Sequence, residues 1–218
     1  MQRPLEVKIC GMRDPRNIAE VAACGPDYLG FLFYAGSKRF VGTSFDPRCL
    51  ESLGEKTRSV GVFVDAEASW IVEQVRRYSL DVVQLHGAED AAFCGRLRDL
   101  WGQAARIWKA VGISEHTEWE ALSAYVGRIE RFLFDTQTQG LGGAGRRFDW
   151  SLLADYRLDV PYLLAGGLDH QALSDVFALR ARDPRMVGVD FNSRLETAVA
   201  QKSVAWVAQV ISEVRGEL

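Results

Sequence analysis

The chain has little of what marks many functional classes. Its three histidines (His86, His116, His170) and four cysteines (Cys10, Cys24, Cys49, Cys94) are scattered. No CxxC pair and no His–Cys spacing suits a metal site, and the cysteines lack the density of a disulfide scaffold, so they read as reduced thiols. Net charge is only −3, which excludes a general affinity for nucleic acid or anionic lipid; an anionic ligand needs a local site. No apolar run approaches the roughly 18 residues of a membrane span, and the N-terminus lacks a signal peptide's apolar segment. The expectation is a soluble cytoplasmic protein.

What is present is alternation. Strand-like runs are expected at 6–10, 28–33, 59–64, 82–86, 106–111, 131–135, 162–165 and 186–190. Helix-like segments follow at 15–24, after Pro47, and at 66–78, 89–101, 115–126, 149–151, 171–179 and 204–214. Asp14 is the expected N-cap of the first helix, with Pro15 at its first position. Eight units averaging about 27 residues predict an α/β fold, a single (β/α)8 TIM barrel of eight parallel strands filling residues 1–218 as one domain. An open doubly wound sheet is the competing architecture.

In such a barrel, functional residues collect at the carboxyl ends of the strands. The two-residue period of a strand puts Lys8 with Cys10, Gln84 with His86, Ile107 with Lys109, Leu133 with Asp135, and Gly188 with Asp190. Each polar member is expected to face the barrel mouth. The glycines Gly166 and Gly167 after strand seven, and Asn192 and Ser193 after strand eight, stand where barrels commonly bind phosphate. The long glycine-rich loop 136–148 has the composition of a lid.

Read together, these segments resemble the phosphoribosylanthranilate isomerase family of tryptophan biosynthesis. The resemblance rests on Lys8-Ile9-Cys10-Gly11, Leu29-Gly30-Phe31, Ser37-Lys38-Arg39-Phe40-Val41 and Gly61-Val62-Phe63-Val64. It continues through Gln84-Leu85-His86-Gly87, Phe134-Asp135-Thr136, Gly142-Gly143-Ala144-Gly145, Phe148-Asp149-Trp150 and Ala165-Gly166-Gly167-Leu168. It implies an aldose–ketose isomerase, formally an intramolecular oxidoreductase, that performs an Amadori rearrangement of a phosphosugar without metal or organic cofactor. By the same resemblance Cys10 is the general base and Asp135 the general acid. Arg39 would hold the anthranilate carboxylate or steady the acid. Gln84, His86, Gly143 and Asp190 complete the substrate site, and Gly166, Gly167, Asn192 and Ser193 bind its phosphate. Lys8 is expected to draw the Cys10 thiol down toward working pH, and burial to raise Asp135.

The chain departs from the family pattern after strand eight. Ser-Gly-Val-Glu becomes Ser193-Arg194-Leu195-Glu196, and Pro-Gly-x-Lys becomes Val199-Ala200-Gln201-Lys202. Two other readings stand beside the isomerase: a Schiff-base lyase acting through Lys109, and a non-catalytic phosphosugar-binding barrel. The expected partner is a small phosphosugar, with no nucleic acid or membrane; monomer and homodimer are both compatible with the sequence.

Overall fold

A computed structural model describes residues 4–102, 104–136 and 147–216. Eight parallel strands close into a barrel in the order β1 to β8: Glu6–Cys10, Tyr28–Leu32, Arg58–Phe63, Val82–Leu85, Ile107–Ile113, Arg131–Thr136, Tyr162–Leu164 and Met186–Phe191. The expected TIM barrel is thus present, with strand ends within two residues of those read from the sequence. The α-helices are α1 Pro15–Ala23, α2 Ala68–Tyr78, α3 Ala91–Trp101, α4 Leu173–Arg182 and α5 Val204–Arg215. Asp14 caps α1 as expected, its Oδ1 accepting the Asn17 N–H at 2.8 Å.

The alternation of side chains divides the apolar residues into two layers. Val7, Ile9, Leu29, Phe31, Val83, Leu85, Phe132 and Phe134 pack outward under the helices. Cys10, Tyr28, Val60, Val62, Val82, Trp108, Ala110, Leu133, Leu163 and Ala165 fill the barrel itself. Fully burying each large outward side chain contributes about 1.5–3 kcal/mol, so strand register is fixed by which face must be dry.

Three expected helical segments are 3₁₀ turns instead: Pro47–Leu53, Trp119–Tyr125 and Trp150–Asp155. The second was expected as a helix over 115–126. Within it Leu122 is the one buried residue, so it lacks the apolar stripe that sustains an α-helix. Trp119 docks instead edge-on against Phe134, with ring centroids 5.6 Å apart.

After β8 the chain forms a hairpin that the sequence reading did not anticipate, β9 (Glu196–Ala198) with β10 (Gln201–Lys202). Its turn holds Ala200 at φ +62°, buried and left-handed. A side chain there is strained, which explains why the family pattern carries glycine at that position.

The amino-terminal end of the barrel is closed by charge. Arg131 pairs with Glu6 across the barrel and with Glu130 at 3.2 Å, and its guanidinium lies 4.8 Å from the centre of the Trp108 ring. Trp108 in turn donates its indole N–H to Glu130 at 3.1 Å.

Two substitutions test these features. Arg131→Ala removes the cation beside Glu6 and over the Trp108 ring and is expected to lower unfolding free energy by about 2–4 kcal/mol in urea titrations. Ala200→Gly removes the left-handed strain, and the same titration should show a gain of about 0.5 kcal/mol.

Candidate active site

Polar side chains converge at the carboxyl end of the barrel in two groups. The first lies on β4, β6 and the turn after β7. Asp135 ends an apolar strand, and its Oδ1 accepts the Thr136 N–H at 2.7 Å. Its Oδ2 stands 3.6 Å from His86 Nε2. Gln84, on the same face two residues before His86, places its Nε2 3.3 Å from His86 Nδ1. With that amide donating, Nδ1 is the acceptor and the imidazole proton sits on Nε2, directed at Asp135. Burial, with Lys109 and Lys8 nearby, lowers His86 to about 4, so the ring is neutral at pH 7.

Burial likewise raises Asp135 to about 6, with the negative charge of Asp190 adding to the rise. Gly166 makes this packing possible. It has φ +90°, and a Cβ there would lie 2.3 Å from Thr136 Oγ1 and 2.9 Å from Asp135 Oδ1. Its glycine is therefore required by the carboxylate itself, beyond any role toward phosphate. Gly167 follows at φ +64°.

The second group surrounds Cys10 on β1. Lys8 and Asp190 face each other as cross-strand partners of β1 and β8. Lys8 Nζ donates to Asp190 Oδ2 at 2.9 Å, and Lys8 has no exposed surface. Gly30 leaves the space they share: a Cβ there would be 2.7 Å from Cys10 Sγ and 3.2 Å from Lys8 Nζ. Arg39, in the loop after β2, lies over Gly11 and pairs with Glu196. Asn192 also closes on Gly11, with its Oδ1 accepting from Lys202 Nζ at 2.8 Å. Ser193 is half-buried at the start of a 3₁₀ turn, and Arg194 is exposed.

The expected residues thus come together, with two corrections. Lys109 shares a face with Ile107 as expected, but that face points outward, since Trp108 and Ala110 fill the barrel. Its Nζ donates to the carbonyls of Gly87 (2.7 Å), Ala110 (3.0 Å) and Leu85 (3.5 Å) and pairs with Glu89 at 3.3 Å. It braces the turn that carries His86 and is turned away from the barrel mouth. The second correction concerns Cys10. Lys8 does pull the thiol down, but burial outweighs it and leaves Cys10 above the ordinary thiol range.

Gly143 and most of the expected lid lie outside the described residues. Sequence reasoning gave Lys8 only a supporting field and assigned no role to Glu196 or Lys202. The one sequence signal bearing on them was Ala200, standing where the family pattern carries glycine. Among the described residues no three His, Cys, Asp or Glu side chains form a metal-ligating group. Chemically, the mouth offers a thiol on β1 and, on β6, a carboxyl whose proton affinity burial raises. Together they suit removal of a proton from one atom of a small molecule and donation to another.

Comparison with known proteins bears on the same residues. The family model described as N-(5'phosphoribosyl)anthranilate (PRA) isomerase matches residues 7–213. An N-(5'-phosphoribosyl)anthranilate isomerase of Parabacteroides distasonis is 38% identical over 210 residues, 95% of this chain and 92% of that protein. In fold, the phosphoribosyl anthranilate isomerase of Thermus thermophilus superposes with a TM-score of 0.83 at 24% identity, covering 98% of this chain and 100% of that one. A phosphoribosyl anthranilate isomerase in complex with reduced 1-(o-carboxyphenylamino)-1-deoxyribulose 5-phosphate gives 0.76 at 27% identity, covering 97% and 99%.

The raised Asp135 has a consequence for stability. In the unfolded chain its carboxyl ionises near 4, and in the folded protein near 6. The unfolded state therefore sheds its proton first, and stability falls as pH rises from about 4 through about 6. Asp135→Asn lacks this slope. The difference in unfolding free energy between the two proteins should shift in favour of the variant by about 2–3 kcal/mol between pH 4 and pH 7, as read from denaturant titrations at each pH.

Proposed function

The chain belongs to the N-(5'-phosphoribosyl)anthranilate isomerase family, and on that premise we propose that Cys10 is the general base and Asp135 the general acid of its rearrangement. The reaction converts N-(5'-phosphoribosyl)anthranilate to 1-(2-carboxyphenylamino)-1-deoxyribulose 5-phosphate. Asp135 donates its proton to the furanose ring oxygen, the C1'–O bond breaks, and the anthranilate nitrogen takes up the positive charge as a protonated Schiff base. The Cys10 thiolate removes the C2' proton, and the electron pair moves toward nitrogen to give an enolamine. Its C2' hydroxyl becomes the ketone as C1' gains a proton. No atom is gained or lost overall.

The observation that carries this reading is the carboxyl of Asp135. It is held on an apolar strand near a pKa of about 6 and braced by His86, while Cys10 stands on another strand of the same mouth. His86, neutral and with Nε2 3.6 Å from Asp135 Oδ2, stands beside the carboxylate that remains once the proton has gone. Gln84 Oε1 and Asp190 Oδ1 are buried without hydrogen-bond partners. Such acceptors are costly unless a ligand answers them, and the sugar hydroxyls of the substrate supply donors of the right kind. Arg39, close enough to Cys10 for their charges to interact, takes the anthranilate carboxylate. Gly166, Gly167, Asn192 and Ser193 receive the phosphate, and Gly143 is read as a substrate-binding residue.

The described helices include none long and apolar enough to cross a membrane. On the strength of the family membership we read residues 1–218 as one domain of a cytoplasmic biosynthetic enzyme.

Cys10→Ser and Asp135→Asn each remove one proton carrier while keeping its size. Each is expected to lower kcat by about 10²–10⁴-fold, followed by the fluorescence change of the anthranilate group. Near-native turnover in either variant refutes the assignment of that residue.

A further inference from the structure

The polar cluster on the β8 side of the mouth contains one buried carboxylate on which three elements depend. Glu196, at the start of β9, accepts both Nε and Nη2 of Arg39 at 2.7 Å each, 157 residues away in the chain. This two-pronged contact fixes the plane of the guanidinium as well as its position. The same Oε1 accepts from Lys202 Nζ at 2.7 Å and from the N–H of Ala200 at 3.2 Å. Lys202 has no exposed side-chain surface, and its ammonium is completed by the carbonyl and Oδ1 of Asn192, at 3.2 and 2.8 Å.

The hairpin is secured from the other side by Asn17 of α1, which is 1% exposed. Its carboxamide donates to Lys202 O at 2.9 Å and accepts from Lys202 N at 2.8 Å, in the manner of a third strand. Glu196 therefore has little freedom, and a backbone strained at Ala200 is retained to keep an N–H directed at it.

We propose that Glu196 is a positioning residue: it holds the Arg39 guanidinium beside Cys10 in the orientation that receives the aryl carboxylate of the substrate. The proposal rests on the reading of Arg39 as the carboxylate holder given above. Glu196 is the partner that the guanidinium has among the described residues, and it engages two of the five N–H donors. A ligand carboxylate can take the others without reorienting the side chain, so the ordering of a long flexible cation precedes binding. Lys202 balances the second half of the Glu196 charge, which leaves Arg39 with net positive character toward the ligand.

The test uses two reduced product analogues that differ only in the ring carboxylate, 2-carboxyphenylamino and phenylamino, with dissociation constants measured by fluorescence and calorimetry. Wild type is expected to prefer the carboxylated analogue. In Glu196→Gln that preference should fall by about tenfold, a loss of the size of one charge-assisted hydrogen bond. Affinity for the phenylamino analogue should stay unchanged, and Glu196→Asp should recover part of the preference. Glu196→Gln alone strands the buried Lys202 ammonium, so E196Q/K202M, in which the hairpin stays neutral, provides the same comparison should the single variant fail to fold.

A general structural role would weaken both analogues together, and that result overturns the proposal. So does a full preference retained in the folded variants. A wild type that binds both analogues equally refutes the underlying reading of Arg39 instead. Arg39→Ala, which should abolish the preference whatever Glu196 does, separates the two failures.

Discussion

The contact between Lys8 and Asp190 constrains everything at the carboxyl end of this barrel. Two charges removed from water are expensive unless they meet each other and find further partners. Here they meet because β1 and β8 pair with these two residues in register, so the closure of the barrel and the ion pair are one arrangement. A slip of one residue in that pairing would turn one of the two charges into the outer apolar layer and leave the other without its partner. The pair also reaches across the site. Asp190 pushes the carboxyl of Asp135 up and opposes the effect of Lys8 on Cys10.

Around this pair the charges do not cancel. Among the described residues Lys8 pairs with Asp190 while Lys202 and Arg39 share Glu196, so these ion pairs hold one cation in excess, offset in part by the Asp135 carboxylate that Lys8 also attracts. In a site screened from water that excess favours whichever anion arrives, the Cys10 thiolate or a substrate carboxylate. The two compete for the same field. On the proposed role of Arg39, a bound substrate that brings its own carboxylate there takes up part of the charge that would otherwise lower the thiol, and Lys8 then supplies the remainder. This division of labour accounts for having two independently held cations beside one sulfur.

Much of this was legible in the sequence. Eight alternating units gave the barrel, and the two-residue period correctly grouped Lys8 with Cys10, Gln84 with His86, and Leu133 with Asp135. For β5 the period held and the absolute face did not. Alternation says which residues share a side, never which side is inward, and the large ring of Trp108 claimed the interior where a short charged strand end was expected. Lys109 then lay outward, its long stem carrying the ammonium back to the carbonyls at the strand ends. Glu196 and Lys202 were invisible for another reason. Their partners, Arg39 and Asn17, lie more than 150 residues away, and no local pattern encodes a contact of that span. The one clue was Ala200, standing where a glycine is usual, at the turn that aims a backbone N–H at Glu196.

The resting protonation states of Asp135 and Cys10 at pH 7 are the opposite of those that the proposed roles of acid and base require. A carboxyl near 6 is mostly ionised at pH 7, and a thiol above its ordinary range is mostly protonated. On the proposed roles, proton donation by Asp135 and abstraction by Cys10 both start from the minor form of the free enzyme. The fraction carrying a carboxylic acid and a thiolate together rises with pH up to about 6, where further gain in thiolate is matched by loss of the acid. It then stays level until the thiol itself titrates. Across that plateau the population is small but independent of pH, and burial acts in opposite senses on the two groups: it makes the scarce Cys10 thiolate a more basic acceptor, and it makes the Asp135 carboxyl a weaker acid that keeps more of its proton near neutrality. The buried charges of β1 and β8 thus set more than the fold, because they determine how much reactive thiolate the barrel holds at any pH at which the enzyme works.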